Sequence, residues 1–185
     1  MTLAQWAQLD EDVSGELVDG VLEDEEMPSV MHELIVGWLI AAFRVWLVGR
    51  GGLVGGSEAK LAVRPGRGRK ADVFVYLPGR SLPSRHATLL DVPPSIVVEI
   101  ISPTPRDARR DRVEKVDDYA AFGVLFYWLL DPDLRTLEIW GLDEQGRYVR
   151  ALGGASGTLS QVPGCAGLEL DLDALWAEID ALPEP

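Results

Sequence analysis

Two short apolar segments, ADVFVYLP (residues 71–78) and SIVVEIIS (residues 95–102), decide how the middle of this chain folds. Both are rich in β-branched or aromatic residues and end at Pro or Ser, which predicts a buried strand in each. Asp72 lies at the start of the first strand and Glu99 lies inside the second. A carboxylate within such an apolar run is costly to bury unless it is paired, hydrogen-bonded or bound to a cation, so Glu99 is a candidate site residue.

The segment after Glu99 predicts a helix followed by another strand. The Thr-Pro pair at 104–105 is typical of a helix start, and Gly123 is typical of a helix end. The apolar segment Val124–Leu130 then reads as a strand. A strand, a crossover helix and a strand form a βαβ unit, so we expect the strand of Glu99 and the segment Val124–Leu130 to share one sheet, in parallel orientation if adjacent.

The N-terminal part predicts a hairpin and a long helix. In ELVDGVLE (residues 16–23), the Asp-Gly pair suits a type I′ turn between two strands. Ser29 can cap a helix over about residues 30–48, where apolar residues recur at helical spacing. Leu53–Val63 is predicted as a strand, and the Gly- and Arg-rich segment Pro65–Lys70 is predicted as a loop.

The C-terminal part predicts two more strands of the sheet, then a short strand and a final helix. In chain order these are a hairpin partner Leu134–Trp140, an edge strand Arg147–Leu152, a strand around Leu168–Leu172, and a helix capped by Asp171 or Asp173 that reaches about Ala181. We expect one domain over residues 1–185 with a mixed α/β (α+β) fold, a core over about residues 16–140 and an acidic extension over residues 141–185.

Charge is distributed unevenly along the chain. The net charge of −13 argues against a nucleic-acid partner. However, residues 1–30 carry nine acids and no Lys or Arg, whereas residues 31–140 carry fifteen bases and thirteen acids. The bases near the candidate acids form two clusters, which could meet a polyanion or could simply be solvated. The clusters are Arg64, Arg67, Arg69 and Lys70 before Asp72, and Arg106, Arg109, Arg110 and Arg112 after Glu99.

Composition also predicts the compartment. The longest apolar stretches are interrupted before they reach the roughly 20 residues that span a bilayer, and the first residues lack the pattern of a signal peptide. We therefore expect a cytoplasmic protein with no membrane contact. Cys165 is the single cysteine, so neither an intrachain disulfide nor a thiolate metal cage is expected.

As an ordered set, several motifs resemble the Uma-type family of restriction endonucleases, within the PD-(D/E)XK nuclease superfamily. The resemblance covers about residues 16–140 and implies a restriction-endonuclease-like fold, in which helices flank a central mixed sheet and a β-hairpin precedes it. The matching residues are Glu16-Leu17-Val18-Asp19-Gly20, His32, Ala71-Asp72, Val97-Val98-Glu99-Ile100-Ile101-Ser102-Pro103, Asp111 with Lys115 and Tyr119, and Tyr127-Trp128-Leu129-Leu130-Asp131-Pro132.

The resemblance implies a metal-dependent DNA endonuclease. Carboxylates are the oxygen ligands that Mg²⁺ and Mn²⁺ prefer, and a lysine can stabilise the charge that develops on the phosphate. The implied roles are Asp72 and Glu99 as metal ligands and catalytic residues, Lys115 as the catalytic cation, Glu16 as a ligand directly or through water, and His32, Asp111 and Tyr119 as supporting residues. DNA contacts would fall to Arg67, Arg69, Lys70, Arg106, Arg109 and Arg110.

The chain departs from the superfamily pattern at two positions. Ala71 stands where the superfamily usually has Pro, and Ile101 stands where it usually has its lysine, two residues after Glu99. Lys115 can take over the role of that lysine, since the family pattern places a lysine on the following helix. The spacing of four residues between Asp111 and Lys115 allows a second interpretation, an ion pair on an exposed helix face.

Three functions therefore remain open from the sequence. The first is a Mg²⁺-dependent endonuclease, which would act as a homodimer if it cuts both DNA strands. The second is a catalytically inactive module of the same fold that binds nucleic acid or protein. The third is a metal-dependent hydrolase of a smaller phosphodiester, for which weak salt dependence is expected.

Overall fold

A computed structural model of the chain describes residues 1–10, 13–24, 27–104 and 108–183. Its elements form a mixed α/β fold, as predicted. In chain order they are α1 (Leu3–Ala7), β1 (Glu16–Val18), β2 (Val21–Glu23), α2 (Val30–Leu47), β3 (Leu53–Gly56), β4 (Lys60–Arg64), β5 (Arg67–Lys70), β6 (Val73–Tyr76), β7 (Ile96–Ile100), a π-helical turn (Arg110–Glu114) that continues into α3 (Lys115–Phe122), β8 (Phe126–Asp131), β9 (Thr136–Leu142), β10 (Tyr148–Gly154), β11 (Thr158–Leu159), β12 (Leu170–Asp171) and α4 (Leu172–Asp180).

The larger sheet has six strands in the order β10-β9-β8-β7-β6-β3. β7 and β8 are adjacent and parallel, which confirms the βαβ prediction. β9 returns antiparallel to β8, and β10 pairs with β9 at the edge, also as predicted. The helix of the crossover ends at Gly123 with a φ of 92°, as expected for a glycine in the left-handed region. Its start was predicted at the Thr-Pro pair, of which Pro105 lies outside the described residues.

A smaller sheet has the order β2-β1-β5-β4. The predicted hairpin is confirmed, because Asp19 and Gly20 have φ values of 49° and 84°, as a type I′ turn requires. Trp6 of α1, a helix that the sequence analysis did not predict, is fully buried against this sheet. A Cβ atom on Gly68 would lie 2.3 Å from the Trp6 ring, so this close approach requires glycine.

Two predictions in this region were wrong. Leu53–Val63 is not one strand, because a turn after Gly56 sends β3 to the large sheet and β4 to the small one. Pro65–Lys70 is not a loop, because Arg67–Lys70 forms β5 between β1 and β4. Patterns of apolar alternation miss β5 because the side chains that it buries, Arg69 and Lys70, are charged, and Arg69 is stabilised by charged partners rather than by apolar ones.

Helices cover both faces of the large sheet. Ile35, Leu39 and Phe43 of α2 are fully buried on one face. Tyr119 of α3 is buried on the other face, in a second apolar cluster with Tyr127. By length and composition alone α2 would suit a membrane span, although these residues make it part of the core. The predicted caps are confirmed: the Ser29 side chain accepts from the His32 backbone N–H, and Asp171 caps α4.

Candidate active site

Strand register brings the two predicted acids together. Val73 of β6 pairs with Val98 of β7, so Asp72 and Glu99 are neighbours on adjacent antiparallel strands. Asp72 Oδ2 accepts a hydrogen bond of 2.7 Å from the backbone N–H of Ile100, which fixes the carboxylate against β7. His32 Nε2 lies 3.1 Å from Asp72 Oδ1, so α2 holds the same carboxylate from the other side.

Glu99 is 2% exposed, and both of its carboxylate oxygens contact α3. Lys115 Nζ donates to Oε2 at 2.9 Å, and the Tyr119 hydroxyl donates to Oε1 at 2.6 Å. The Lys115 ammonium thus lies beside Glu99 although Ile101 occupies the position two residues after it. If Lys115 is to take over the role of the lysine that is missing at Ile101, its ammonium must lie close to Glu99, and it does.

Three carboxylates surround the Lys115 ammonium. Besides Glu99, Asp111 Oδ1 lies 3.2 Å and Glu16 Oε1 lies 3.5 Å from Nζ. The second interpretation placed the pair of Lys115 and Asp111 on an exposed helix face. The pair forms, but Lys115 is 7% exposed, so the pair is buried. Asp111 belongs to the π-helical turn that precedes α3, a type of distortion that is frequent at functional sites.

A cavity of about 370 Å³ opens onto these residues. Asp72, Glu99, Asp111, Glu33 and Glu58 supply its carboxylates. The cations that line it are Lys115, Lys70 and Arg110, and His32 adds an imidazole. A ligand in this cavity would therefore meet acids and bases together, an arrangement that suits a phosphate accompanied by a cation.

Charge crowding shifts the proton affinities of these groups. Burial raises the pKa of Glu99 well above its ordinary value; Lys115 offsets this only in part, while Asp72, Asp111 and Glu16 add to it. Burial alone would lower the pKa of Lys115, but Glu16, Glu99 and Asp111 outweigh burial and raise it well above its ordinary value. One shift favours a neutral Glu99 and the other an ionised one. Lys115 is charged, because Glu16, whose pKa is lowered, also contacts its ammonium.

Glu16 lies behind Lys115 rather than on the cavity. Its Oε2 accepts from Arg69 Nη1 at 2.6 Å, and its Oε1 accepts from the backbone N–H of Lys70 at 3.0 Å. Burial would raise the pKa of Glu16, but Lys115 and Arg69 outweigh it and hold the pKa below its ordinary value. Although Glu16 lies on a hairpin, it is 1% exposed.

The donor set at the cavity fits a hard divalent cation held by few protein ligands. Asp72 and Glu99 offer carboxylate oxygens, and Mg²⁺ commonly uses one or two carboxylates and completes its shell with water and substrate phosphate. Within the described residues, no group of three or more His, Cys, Asp or Glu side chains is spaced to hold a metal ion. The arrangement therefore suits a site with two protein carboxylates rather than a closed cage.

The structure separates the basic residues that were predicted to contact DNA. Arg69 is fully buried, and Arg67 pairs with both Asp19 and Asp118, so we do not assign DNA contacts to either. Lys70 and Arg110 line the cavity, and Arg109 is exposed. Arg106 lies outside the described residues.

Asp118 is a buried acid that the sequence analysis missed. Arg64, Arg67 and Arg69 all direct guanidinium nitrogens to its carboxylate, at distances of 3.3, 3.2 and 2.7 Å. It lies three residues after Lys115, on the same face of α3. That helical spacing was the available signal, but it does not distinguish a buried acid from a solvated one.

Comparisons with known proteins identify a family and a fold. The model of the Uma2 family, described as "Putative restriction endonuclease", matches residues 2–173. The chain is also similar to the crystal structure of a putative nuclease belonging to DUF820 from Anabaena variabilis ATCC 29413, with a TM-score of 0.74 and 17% identity over 96% of this chain and 98% of that one. At that identity the likeness establishes the fold. No curated protein matches the chain.

Proposed function

Because this chain belongs to the Uma2 family, we propose that it is a metal-dependent endonuclease that hydrolyses DNA phosphodiester bonds. One observation carries the proposal: a single cavity holds the carboxylates of Asp72 and Glu99 and, 2.9 Å from Glu99, the buried ammonium of Lys115. Two carboxylates and a cation are the groups that phosphodiester hydrolysis assisted by a metal requires.

Asp72 and Glu99 would hold Mg²⁺ or Mn²⁺ at this cavity. When bound, the ion supplies Lewis-acid polarisation of the phosphate and a nucleophilic water near neutral pH. Each acid is oriented by groups around it, since the Ile100 N–H and His32 fix Asp72, and Tyr119 fixes Glu99. Such outer contacts keep ligating carboxylates in a productive position.

Lys115 acts as a fixed positive charge. Its raised pKa, which its neighbouring carboxylates cause against the effect of burial, keeps it protonated and excludes it as a general base near neutral pH. An ammonium that is already in place when negative charge develops on the phosphate stabilises the transition state without reorganisation. Loss of this charge is therefore expected to reduce kcat far more than the affinity for metal.

The cations at and near the cavity are the groups that would bind DNA. Lys70 and Arg110 line the cavity, where they can neutralise the phosphates that flank the scissile one, and exposed Arg109 can extend this contact. One site attacks one phosphate at a time. If duplex DNA is cut in both strands, we propose a homodimer as the acting species.

The test is cleavage of plasmid and single-stranded DNA with Mg²⁺ or Mn²⁺. Wild type is compared with Asp72→Asn, Glu99→Gln and Lys115→Met, and with Glu144→Gln, which removes an exposed carboxylate elsewhere. We expect Asp72→Asn and Glu99→Gln to lose both metal binding and cleavage, Lys115→Met to lose cleavage alone, and Glu144→Gln to behave as wild type. A wild type that neither cleaves nor binds metal in calorimetry would instead favour the inactive binding module.

A further inference from the structure

Beyond this, we infer that Arg69 and Asp118 are positioning residues that act through Glu16 to hold the Lys115 ammonium beside Glu99. Only the catalytic consequence of this inference rests on the proposed function. The arrangement of the side chains is a property of the fold and can be tested without any cleavage.

The contacts of the Glu16 carboxylate differ in length. Arg69 Nη1 at 2.6 Å and the Lys70 backbone N–H at 3.0 Å occupy its carboxylate, and Lys115 Nζ lies further away at 3.5 Å. The nearest carboxylate oxygen to Lys115 is that of Glu99, at 2.9 Å. Glu16 thus contributes its charge to Lys115 without drawing the ammonium away from Glu99.

Arg69 connects Glu16 to the helix that carries Lys115. Its Nη1 donates to Glu16, while Nε and Nη2 lie 2.8 and 2.7 Å from Asp118 Oδ2. A guanidinium is planar and holds two acids in a fixed relation, which the single ammonium of a lysine cannot do. Since Asp118 and Lys115 lie on one face of α3, this fork sets the position of the helix relative to Glu16.

Burial distinguishes positioning from substrate binding. Arg69 is fully buried, Asp118 and Glu16 are each 1% exposed, and none of the three lines the cavity. They cannot reach a phosphate bound there. A group of buried charges of this kind is costly to desolvate and adds little net stability, so a specific geometry is the property that it can provide.

The loss of this network would therefore be felt at Lys115. Without the charge of Glu16, the close acidic partners that the ammonium keeps among the described residues are Glu99 and Asp111, and both of these lie on the cavity. With lysine in place of Arg69, the Glu16 carboxylate is free to approach Lys115 and compete with Glu99. Either change increases the mobility of the ammonium at the cavity.

The direct test observes the Lys115 ammonium by nuclear magnetic resonance at one pH. The chain has three lysines, Lys60, Lys70 and Lys115, so labelling of lysine Nζ with ¹⁵N gives a readily assigned spectrum. We expect an ordered Lys115 ammonium in wild type and a mobile one in Glu16→Gln and Arg69→Lys. Asp19→Asn is the matched control, because it removes an exposed carboxylate from the same hairpin.

An unchanged Lys115 signal in both variants, or an ammonium that is already mobile in wild type, would overturn the inference. If Arg69→Lys fails to fold, Glu16→Gln decides alone, since it preserves the size of the side chain. The Asp19→Asn signal must match that of wild type. A control that mobilised Lys115 equally would show that the effect belongs to the hairpin in general and would also overturn the inference.

Calorimetry and kinetics then separate positioning from metal ligation. We expect Glu16→Gln and Arg69→Lys to bind Mg²⁺ as wild type does, and kcat to fall by about 100-fold with little change in KM, the scale associated with small misplacements of catalytic groups. A loss of Mg²⁺ affinity of about 10-fold or more in Glu16→Gln would make Glu16 a metal ligand or its immediate support, against the inference. If wild type neither binds Mg²⁺ nor cleaves DNA, the proposed function fails, while the resonance experiment still decides the positioning role.

Discussion

The large sheet packs on α2 through apolar side chains, whereas the small sheet contacts α3 partly through buried charged groups. On the large sheet, α2 packs apolar side chains such as Phe43, whose ring centroid lies 5.3 Å from that of Trp128. On the small sheet, the contact with α3 includes a buried charged group around Asp118, whose carboxylate forms ion pairs with three arginines. The candidate site lies where the two meet. Strand pairing within the large sheet brings Asp72 and Glu99 together, whereas ion pairs with three carboxylates surround Lys115.

This comparison predicts that damage to the large sheet mainly costs stability. Phe43→Ala removes a fully buried aromatic ring from the core, which is expected to lower the free energy of unfolding by about 4 kcal/mol. Thermal and denaturant unfolding measure this loss. Cleavage per folded molecule should stay close to wild type below the unfolding transition, and a specific loss of kcat there would show that α2 does more than support the sheet.

The small sheet should respond differently. Asp118→Asn keeps a hydrogen-bond acceptor but leaves an excess of positive charge around buried Arg69, and we expect a loss of about 2–3 kcal/mol, the range for buried hydrogen bonds with charged groups. Here the loss of kcat should persist well below the unfolding transition. Denaturation curves measure the loss of stability, and single-turnover cleavage at low temperature measures the loss of kcat. A loss of stability with an unchanged kcat would contradict the prediction that the small sheet differs from the large one.

The buried charges around Glu99, where the large sheet and the small sheet meet, predict that metal binding depends on pH. Glu99 must lose its proton to bind Mg²⁺, and burial together with Asp72, Asp111 and Glu16 raises its pKa. Below that raised pKa, affinity should rise with pH by up to about 10-fold per unit, with a proton released on binding. Calorimetry in buffers of different ionisation enthalpy counts the protons. Glu99→Gln should abolish the release, and binding without release in wild type would contradict the prediction.

The smallest effect is expected outside both buried regions. Arg109 is exposed, so Arg109→Ala should leave stability unchanged and reduce the slope of log affinity for DNA against log salt by about 1. Binding titrations at several salt concentrations, with metal absent to prevent cleavage, measure the slope. Arg135→Ala, which removes a cation paired with Asp180 on the surface, is the control. An equal change in both variants would mean that Arg109 contributes only to the net charge.

The sequence predicted the large sheet well because its signals are local. Apolar runs, the Asp-Gly turn, Ser29, Asp171 and Gly123 each act within a few residues. Apart from Leu53–Val63, which divides into two strands, these signals correspond to observed strands, turns, caps or helix ends. The acids were found in the same way, since Glu99 stands out against its own strand. The ordered motifs also predicted the Uma family, whose model matches residues 2–173.

The charged part of the site could not be predicted from the sequence and is evident only in the three-dimensional structure. Arg69 reads as a solvated base and Asp118 as a surface acid, because nothing nearby in the chain indicates their partners. Arg69 and Glu16 are 53 residues apart in sequence, and only the pairing of β1 with β5 and the packing of α3 brings them together. Apolar burial leaves a periodic trace in sequence, but ion pairing between distant segments leaves none. Local sequence patterns therefore predicted most of the large sheet and its two acids, whereas the surroundings of Lys115 depend on contacts between segments that are distant in the chain.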